Sequence, residues 1–245
     1  MFGLLEIEDL HVSIGGRMVL KGINLKIDRG ENHALFGPNG CGKTTLLNTI
    51  AGVPRYVVER GRILFKGKDI THMSMDERAR MGIGIAFQSP PAIRGLKLKD
   101  LIKLCNPEAN PEKVLKEMNF LEFADREVNR GFSGGEIKRS EMAQLLAQRP
   151  ELVMLDEPDS GVDLENIKLI GRAINKLTEK DTKPSKRIRS GIIITHFGHI
   201  LDYISVDKAH VMLEGTIVCT GSPREILEQI KTRGYEGCAR CLCPT

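Results

Sequence analysis

Residues Gly37-Pro38-Asn39-Gly40-Cys41-Gly42-Lys43-Thr44 satisfy the pattern G-x-x-x-x-G-K-[ST] and lie between an apolar strand-like run and a helix-like one. That context makes them a phosphate-binding loop. The glycines let successive backbone N–H groups turn inward around a β-phosphate, and the following helix N-terminus adds partial positive charge. Lys43 is expected to reach the β and γ oxygens, and Thr44 to ligate Mg2+ through its hydroxyl. Thr45 continues into the helix with Leu46 and Leu47, so the expected nucleotide contacts run from Gly37 through Thr45.

Two further stretches carry chemistry. Leu152-Val153-Met154-Leu155 is an apolar strand that ends in Asp156 and Glu157. Adjacent strand residues point to opposite sides, so these carboxylates take different roles. Asp156 is assigned to Mg2+ through water, and Glu157 to polarising the attacking water as general base. The second stretch, Phe132-Ser133-Gly134-Gly135-Glu136, precedes a helix over Ile137 to Gln148. It is a second phosphate-gripping helix start, redundant if one nucleotide is bound within the chain. Its use in a partner's site resolves the redundancy.

The elements that must position these residues follow from the hydropathy pattern. Leu4 to Leu10, Val19-Leu20, Ile23 to Ile27 and Asn32 to Phe36 read as strands joined by Gly-Gly and Arg-Gly turns, suggesting an antiparallel sheet that caps the nucleotide. A helix is expected from Lys43 to near Gly52. Residues 89–131 read as an inserted helical subdomain with helical spacing over Leu98 to Cys105 and Pro111 to Phe123. Beyond it come a helix over 134–148, a second near Leu164 to Thr178, the strand run Ile192 to Ile194, and a final hairpin and helix. Strands alternating with helices imply an α/β fold with a largely parallel sheet, a single domain over 1–245.

Composition narrows the function classes. Hydrophobic residues at 41% and charged residues at 28% are ordinary globular values, which disfavours disordered and fibrous classes. A net charge of +4 without a stripe of basic and aromatic residues gives no nucleic-acid footprint, and Lys183 to Arg189 reads as a solvated loop. No window approaches the length of a membrane span, and the N-terminus is too short and too acidic for a signal peptide, so a cytosolic protein without direct membrane insertion is expected. The six cysteines do not form a secreted disulfide framework. Cys41 reads either as a small residue fitting the loop or as a redox-sensitive thiol. Cys238, Cys241 and Cys243 define a cysteine-rich tail over 238–245, placed after the last expected helix. Their spacing reads either as a plain terminal tail or as three thiolates that could hold a metal or cluster with a fourth ligand from elsewhere.

On its phosphate-binding loop, the strand ending Asp156-Glu157 and the Ser133-Gly134-Gly135-Glu136 signature, the sequence resembles the ATP-binding-cassette ATPases over essentially its whole length. The resemblance implies ATP and Mg2+ as cofactors and hydrolysis between two copies, with Ser133 and Gly135 of one facing the ATP of the other. It assigns Gln88 to the nucleotide and Mg2+, Ser160-Gly161-Val162-Asp163 to the D-loop, with Asp163 as a nucleotide contact, and His196 to the γ-phosphate as a second catalytic residue. Where the family has an adenine-stacking aromatic, this chain has His11-Val12-Ser13-Ile14. Within the family the sequence is most similar to the SufC-like ATPases of iron-sulfur cluster assembly, through Ala86-Phe87-Gln88-Ser89-Pro90-Pro91, Gly134-Gly135-Glu136-Ile137-Lys138-Arg139-Ser140-Glu141 and Gly234-Tyr235-Glu236. That resemblance implies a SufB-like scaffold as partner, docked along Gln88 and the helical subdomain. The general cassette motifs with Pro158 support an alternative, the ATP-binding subunit of a membrane transporter. A nucleic-acid-associated cassette is disfavoured, since the chain carries one cassette and no long coiled coil.

Overall fold

A computed structural model describes residues 3–195 and 199–242, with side-chain surroundings given up to Cys238. The chain opens with two long strands, β1 (Leu5–Ile14) and β2 (Arg17–Ile27), paired antiparallel. β4 (Val57–Phe65) pairs antiparallel with the other edge of β1, and the short β5 (Lys68–Asp69) completes a four-stranded sheet in the order β2-β1-β4-β5. Their alternating apolar residues point inward: Leu5, Ile7, Leu10, Val12, Leu20, Ile23, Ile27, Ile63 and Phe65 are buried.

The strand β3 (Asn32–Phe36) does not join that sheet, contrary to the sequence expectation. It lies inside a six-stranded sheet in the order β10-β9-β3-β8-β7-β6, with β6 (Ile83–Ala86), β7 (Leu152–Asp156), β8 (Ser190–Ile194), β9 (Lys208–Leu213) and β10 (Thr216–Gly221). β3 pairs parallel with β8 and β9, and all five of its residues are buried. A strand covered on both faces is the pattern of a parallel sheet interior rather than of a half-wet antiparallel cap.

The helices are α1 (Lys43–Ala51), α2 (Met75–Arg80), α3 (Leu98–Cys105), α4 (Pro111–Glu117), α5 (Gly134–Gln148), α6 (Leu164–Leu177) and α7 (Pro223–Leu242). The helix expected over Pro111 to Phe123 stops at Glu117: Asn119 has φ 48°, and only a 3-10 turn, Leu121–Phe123, follows. A left-handed residue cannot continue an α-helix, which ends α4 there. The segment between β6 and α5 buries Leu98, Ile102, Leu115, Phe120 and Phe123 against Met142 and Leu145 of α5. The same cluster continues to Val153, Leu155 and Ile193 of the six-stranded sheet. α5 is thus the common wall of the helical segment and the sheet.

The C-terminus also differs from expectation. Cys238 and Cys241 lie within α7, which bends at Gly234 (φ 70°), rather than after the last helix. Cys238 is fully buried with Ala34, Phe36, Val211 and Ile226, and its thiol approaches the Ile226 carbonyl at 3.9 Å. A side chain seated in the core under β3 is not a frayed terminal thiol. The surroundings of Cys241, and Cys243 itself, fall outside the described residues.

Candidate active site

The loop over 37–42 leaves the carboxyl end of β3 and enters α1 at Lys43. Two glycines are required by geometry. Gly37 has φ 155°, and a Cβ there would stand 2.3 Å from the Met212 carbonyl oxygen. Gly42 has φ 108° and caps α1, where a Cβ would meet Leu20 at 2.8 Å. The loop is held from behind by the β9–β10 turn, where Gly215 N–H donates to the Cys41 carbonyl at 3.0 Å. Lys43 is buried and folds back over the loop, donating from Nζ to the carbonyls of Gly37 (2.7 Å) and Pro38 (2.9 Å). Its ammonium is therefore already held against the loop backbone.

The end of β7 faces this loop. Asp156 is the last residue of β7 and pairs in register with Ile194 of β8. It is 3% exposed and shares a hydrogen bond with the Thr44 side chain. Its Oδ1 is buried without a hydrogen-bond partner among the described residues. Burial pushes its carboxyl above the usual aspartate range, with the neighbouring Glu157 charge adding to the rise and the Thr44 hydrogen bond opposing it. Glu157 has left the strand, with φ 51° and its N–H bonded to the Ile194 carbonyl at 3.1 Å. A non-glycine residue held there stores about 1–3 kcal/mol, strain of the kind that clusters at functional positions. Glu157 lines a cleft of about 320 Å³ together with Asn39, Gly40, Lys43, Thr44 and Gln88. The cleft thus unites residues from the ends of β3, β6 and β7.

The other sequence-derived residues lie elsewhere. Ser133 is the N-cap of α5 in a capping box with Glu136: Ser133 N–H donates to Glu136 Oε2 at 2.7 Å, and Glu136 N–H to Ser133 Oγ at 3.4 Å. A glutamate at this position is what the reciprocal cap requires. Asp163 caps α6, accepting from Glu165 N–H and Asn166 N–H, each at 3.0 Å. The backbone hydrogen bond from Asn166 and the one from its side chain lower the Asp163 carboxyl pKa. Ser133, Gly135 and Asp163 do not line the cleft. His196 lies outside the described residues, next to Thr195, whose hydroxyl donates to Asp159 at 3.1 Å.

Cys41 is buried, and burial pushes its thiol above the usual range despite the nearby Lys43 ammonium. Such a thiol is protonated and poorly nucleophilic, which favours the small-residue reading over the redox-sensitive one. At the adenine-stacking position of the family, His11 Nε2 is engaged with Asp9 at 3.0 Å and Ser13 Oγ donates to Glu59 at 2.5 Å.

Sequence reasoning gave no role to two groups that support the site: Met212 and Gly215 behind the loop, and the buried pair Lys138 and Glu141 on α5. The Gly-Gly-Glu-x-Lys-Arg-x-Glu pattern was the available signal for the second.

A glycine loop at the carboxyl end of a buried parallel strand, a lysine folded into it and an acidic strand end opposite define a P-loop nucleoside triphosphatase. The family model described as ABC transporter matches residues 20–160, and the chain belongs to that family as an ATP-hydrolysing ATP-binding cassette. Among its relatives, the "probable ATP-dependent transporter ycf16" of Cyanophora paradoxa is 38% identical, covering 95% of this chain and 93% of its own. "Vegetative protein 296" of Bacillus subtilis is 39% identical, covering 95% and 92%. A "probable ABC transporter ATP-binding protein" of Streptococcus pyogenes is 38% identical, covering 98% and 96%. The fold is similar to a solved nucleotide-free ATP-binding cassette from an ABC transporter, with TM-score 0.78 and 26% identity over 96% of this chain and 98% of that one. A cassette solved in its ADP conformation gives TM-score 0.77 and 26% identity over 97% and 98%. Among the described residues, no helix is long and apolar enough to cross a membrane.

Proposed function

We propose that this cassette binds MgATP in the cleft between the 37–45 loop and the end of β7, and hydrolyses it as the ATPase subunit of a cytosolic iron-sulfur cluster assembly complex. The observation that carries the catalytic part is the meeting of Lys43, Thr44, Gln88 and Glu157 in one cleft beside buried Asp156.

The residues fit Mg2+. Asp156 has a buried oxygen without a partner among the described residues, next to the Thr44 hydroxyl, and both are hard oxygen donors. Gln88 supplies a third donor in the same cleft. No group of three or more His, Cys, Asp or Glu with metal-binding geometry occurs among the described residues, which suits a cation completed by phosphate oxygens and water. A bound Mg2+ would neutralise charge building on the β and γ oxygens during transfer.

The chain's own groups supply the rest. Backbone N–H groups of residues 39–45 bind the β-phosphate, and Lys43 exchanges its carbonyl partners for phosphate oxygens, an exchange that costs little because both sets of bonds are charge-assisted. Glu157 accepts a proton from the water whose oxygen attacks the γ-phosphorus, while the bond from that phosphorus to the β–γ bridging oxygen breaks and the oxygen leaves with its electron pair as part of ADP, releasing inorganic phosphate. His196 holds the γ-phosphate. In this reading the site is completed by a second copy, whose Ser133, Gly135 and Asp163 approach the γ-phosphate across the interface. The N–H groups of Gly134 and Gly135, which the capping box does not use, are suited to that anion.

The iron-sulfur reading is supported by the signature variant over 134–141, which resembles that of the SufC-like ATPases. A SufB-like scaffold is then the partner, docked along Gln88 and the segment 89–131. The names of the Cyanophora and Streptococcus relatives favour a second reading, the ATP-binding subunit of a membrane transporter. Affinity capture from native cytosol with mass spectrometry and iron analysis separates the two. A soluble SufB-like protein supports the first, whereas an integral membrane permease refutes it in favour of the second.

A further inference from the structure

Lys138 and Glu141 stand three residues apart on one face of α5, each about 5% exposed. Lys138 Nζ donates to the Phe87 carbonyl at 3.0 Å and to the Gln88 carbonyl at 3.4 Å, and lies 3.5 Å from Glu141 Oε2. Glu141 Oε1 accepts from the Phe87 N–H at 2.7 Å. The pair grips the backbone N–H and carbonyl of Phe87 and the carbonyl of Gln88. These groups lie just past the point where β6 stops pairing with β7, whose last matched residues are Ala86 and Leu155. Beyond that point the sheet no longer fixes the backbone, and the ion pair takes over.

A stabilising role alone accounts poorly for this arrangement. Burying two charges incurs desolvation that an apolar pair of the same shape avoids, so buried ion pairs are weak contributors to stability. What this pair does that an apolar pair cannot is hold the backbone of Phe87 and the Gln88 carbonyl at fixed distances and orientation. That stretch ends on Gln88, whose side chain lines the nucleotide cleft.

We propose that Lys138 and Glu141 are positioning residues for ATP hydrolysis: the pair fixes the backbone of Phe87 and Gln88 against α5 and so sets the Gln88 side chain relative to Lys43, Thr44 and Glu157. The inference rests on the assignment of Gln88 to the reaction, and its test separates the two. It also ties the placement of Gln88 to the helix that begins at Ser133.

Removing one partner leaves the other buried and unpaired, so the informative variant is neutral at both sites. Lys138→Met with Glu141→Gln keeps an acceptor for the Phe87 N–H and deletes the grip on both carbonyls. The full-length chain is assayed with its captured partner for ATP affinity, kcat, KM and melting temperature, in the wild-type and Gln88→Ala backgrounds. The expected result is unchanged ATP affinity and melting temperature with kcat lowered about tenfold or more, and little further loss when Gln88→Ala is added. A folded paired variant with wild-type kcat overturns the proposal, and so does a Gln88→Ala loss that multiplies fully with that of the pair. If Gln88→Ala alone leaves kcat unchanged, the assignment of Gln88 itself fails and the positioning role falls with it. Should the paired variant not fold, Lys138→Met alone, which deletes the grip on both carbonyls while Glu141 keeps the Phe87 N–H, is read in the same cycle, with the same two outcomes.

Discussion

Phe132 precedes the signature serine, and its ring is the clearest anchor for the start of α5. It is 9% exposed and meets Phe120 and Phe123 edge-on, with centroids 5.5 and 5.1 Å apart, while the Arg126 guanidinium lies 4.9 Å from its centroid. Phe132→Leu keeps most of the apolar volume but removes these directional contacts. Two edge-to-face pairs contribute about 0.5–1.5 kcal/mol each beyond area burial. The exposed Arg126 adds roughly 0.5–1 kcal/mol. The expected loss is therefore about 1.5–4 kcal/mol, read as a shift of the urea midpoint in far-UV circular dichroism at unchanged slope. Pairing the change with Phe123→Leu in a double-mutant cycle should return a coupling of roughly 0.5–1.5 kcal/mol. A total loss below about 0.5 kcal/mol, or a coupling of zero, would show that the aromatic cluster does not anchor Ser133.

Three further outcomes follow from the geometry. Burial holds His210 to about 3 and lowers His33, with His33 Nδ1 and His210 Nε2 2.9 Å apart, so both are neutral when folded. Because these folded values lie below the unfolded one, their contribution is complete above about pH 6.5 and is lost as pH falls toward 3, at up to about 1.4 kcal/mol per pH unit per group. Burial raises the neighbouring Glu31, but hydrogen bonds from Lys208 and His33 outweigh it and bring Glu31 to about 2, a loss of stability in the same direction below 4.5. Denaturation of His210→Gln between pH 6.5 and 4 should show a shallower slope than wild type, and an equal slope would rule out the buried histidine as its source. Lys43→Ala should weaken ATP binding by roughly 10- to 100-fold, the worth of charge-assisted bonds to phosphate, and lower turnover with it; titration calorimetry showing wild-type affinity would remove Lys43 from the phosphate site. Mild oxidant should leave ATP turnover intact, since the Cys41 thiol is buried and protonated, and an oxidant-sensitive rate that Cys41→Ala abolishes would restore the redox reading.

The sequence made the site's chemistry legible where the signal is local. The 37–45 loop needs its glycines within a few residues of its lysine, and the carboxylates of β7 follow directly on an apolar run. The limits of α1, α3 and α5 were likewise written in local spacing and capping residues. What stayed hidden depends on distant partners. β3 reads as one more short strand after β2, and only its pairing with β8 and β9, more than 150 residues away, places it at the centre of the parallel sheet. The grip of Lys138 and Glu141 on Phe87 spans 51 and 54 residues, so the pattern over 134–141 marked the residues without showing what they hold. The end of α4 turns on the left-handed conformation of Asn119, and the course of α7 on Gly234, backbone states that composition does not announce.

The most direct test of the account is Glu157→Gln in the assembled complex, with ATP affinity and turnover measured on the same preparation. The side chain keeps its size and place in the cleft and loses only its capacity as a base. The account predicts wild-type ATP affinity with turnover lowered about 100-fold or more, the range general-base catalysis supplies. Turnover equal to wild type would contradict it and remove Glu157 from the chemistry.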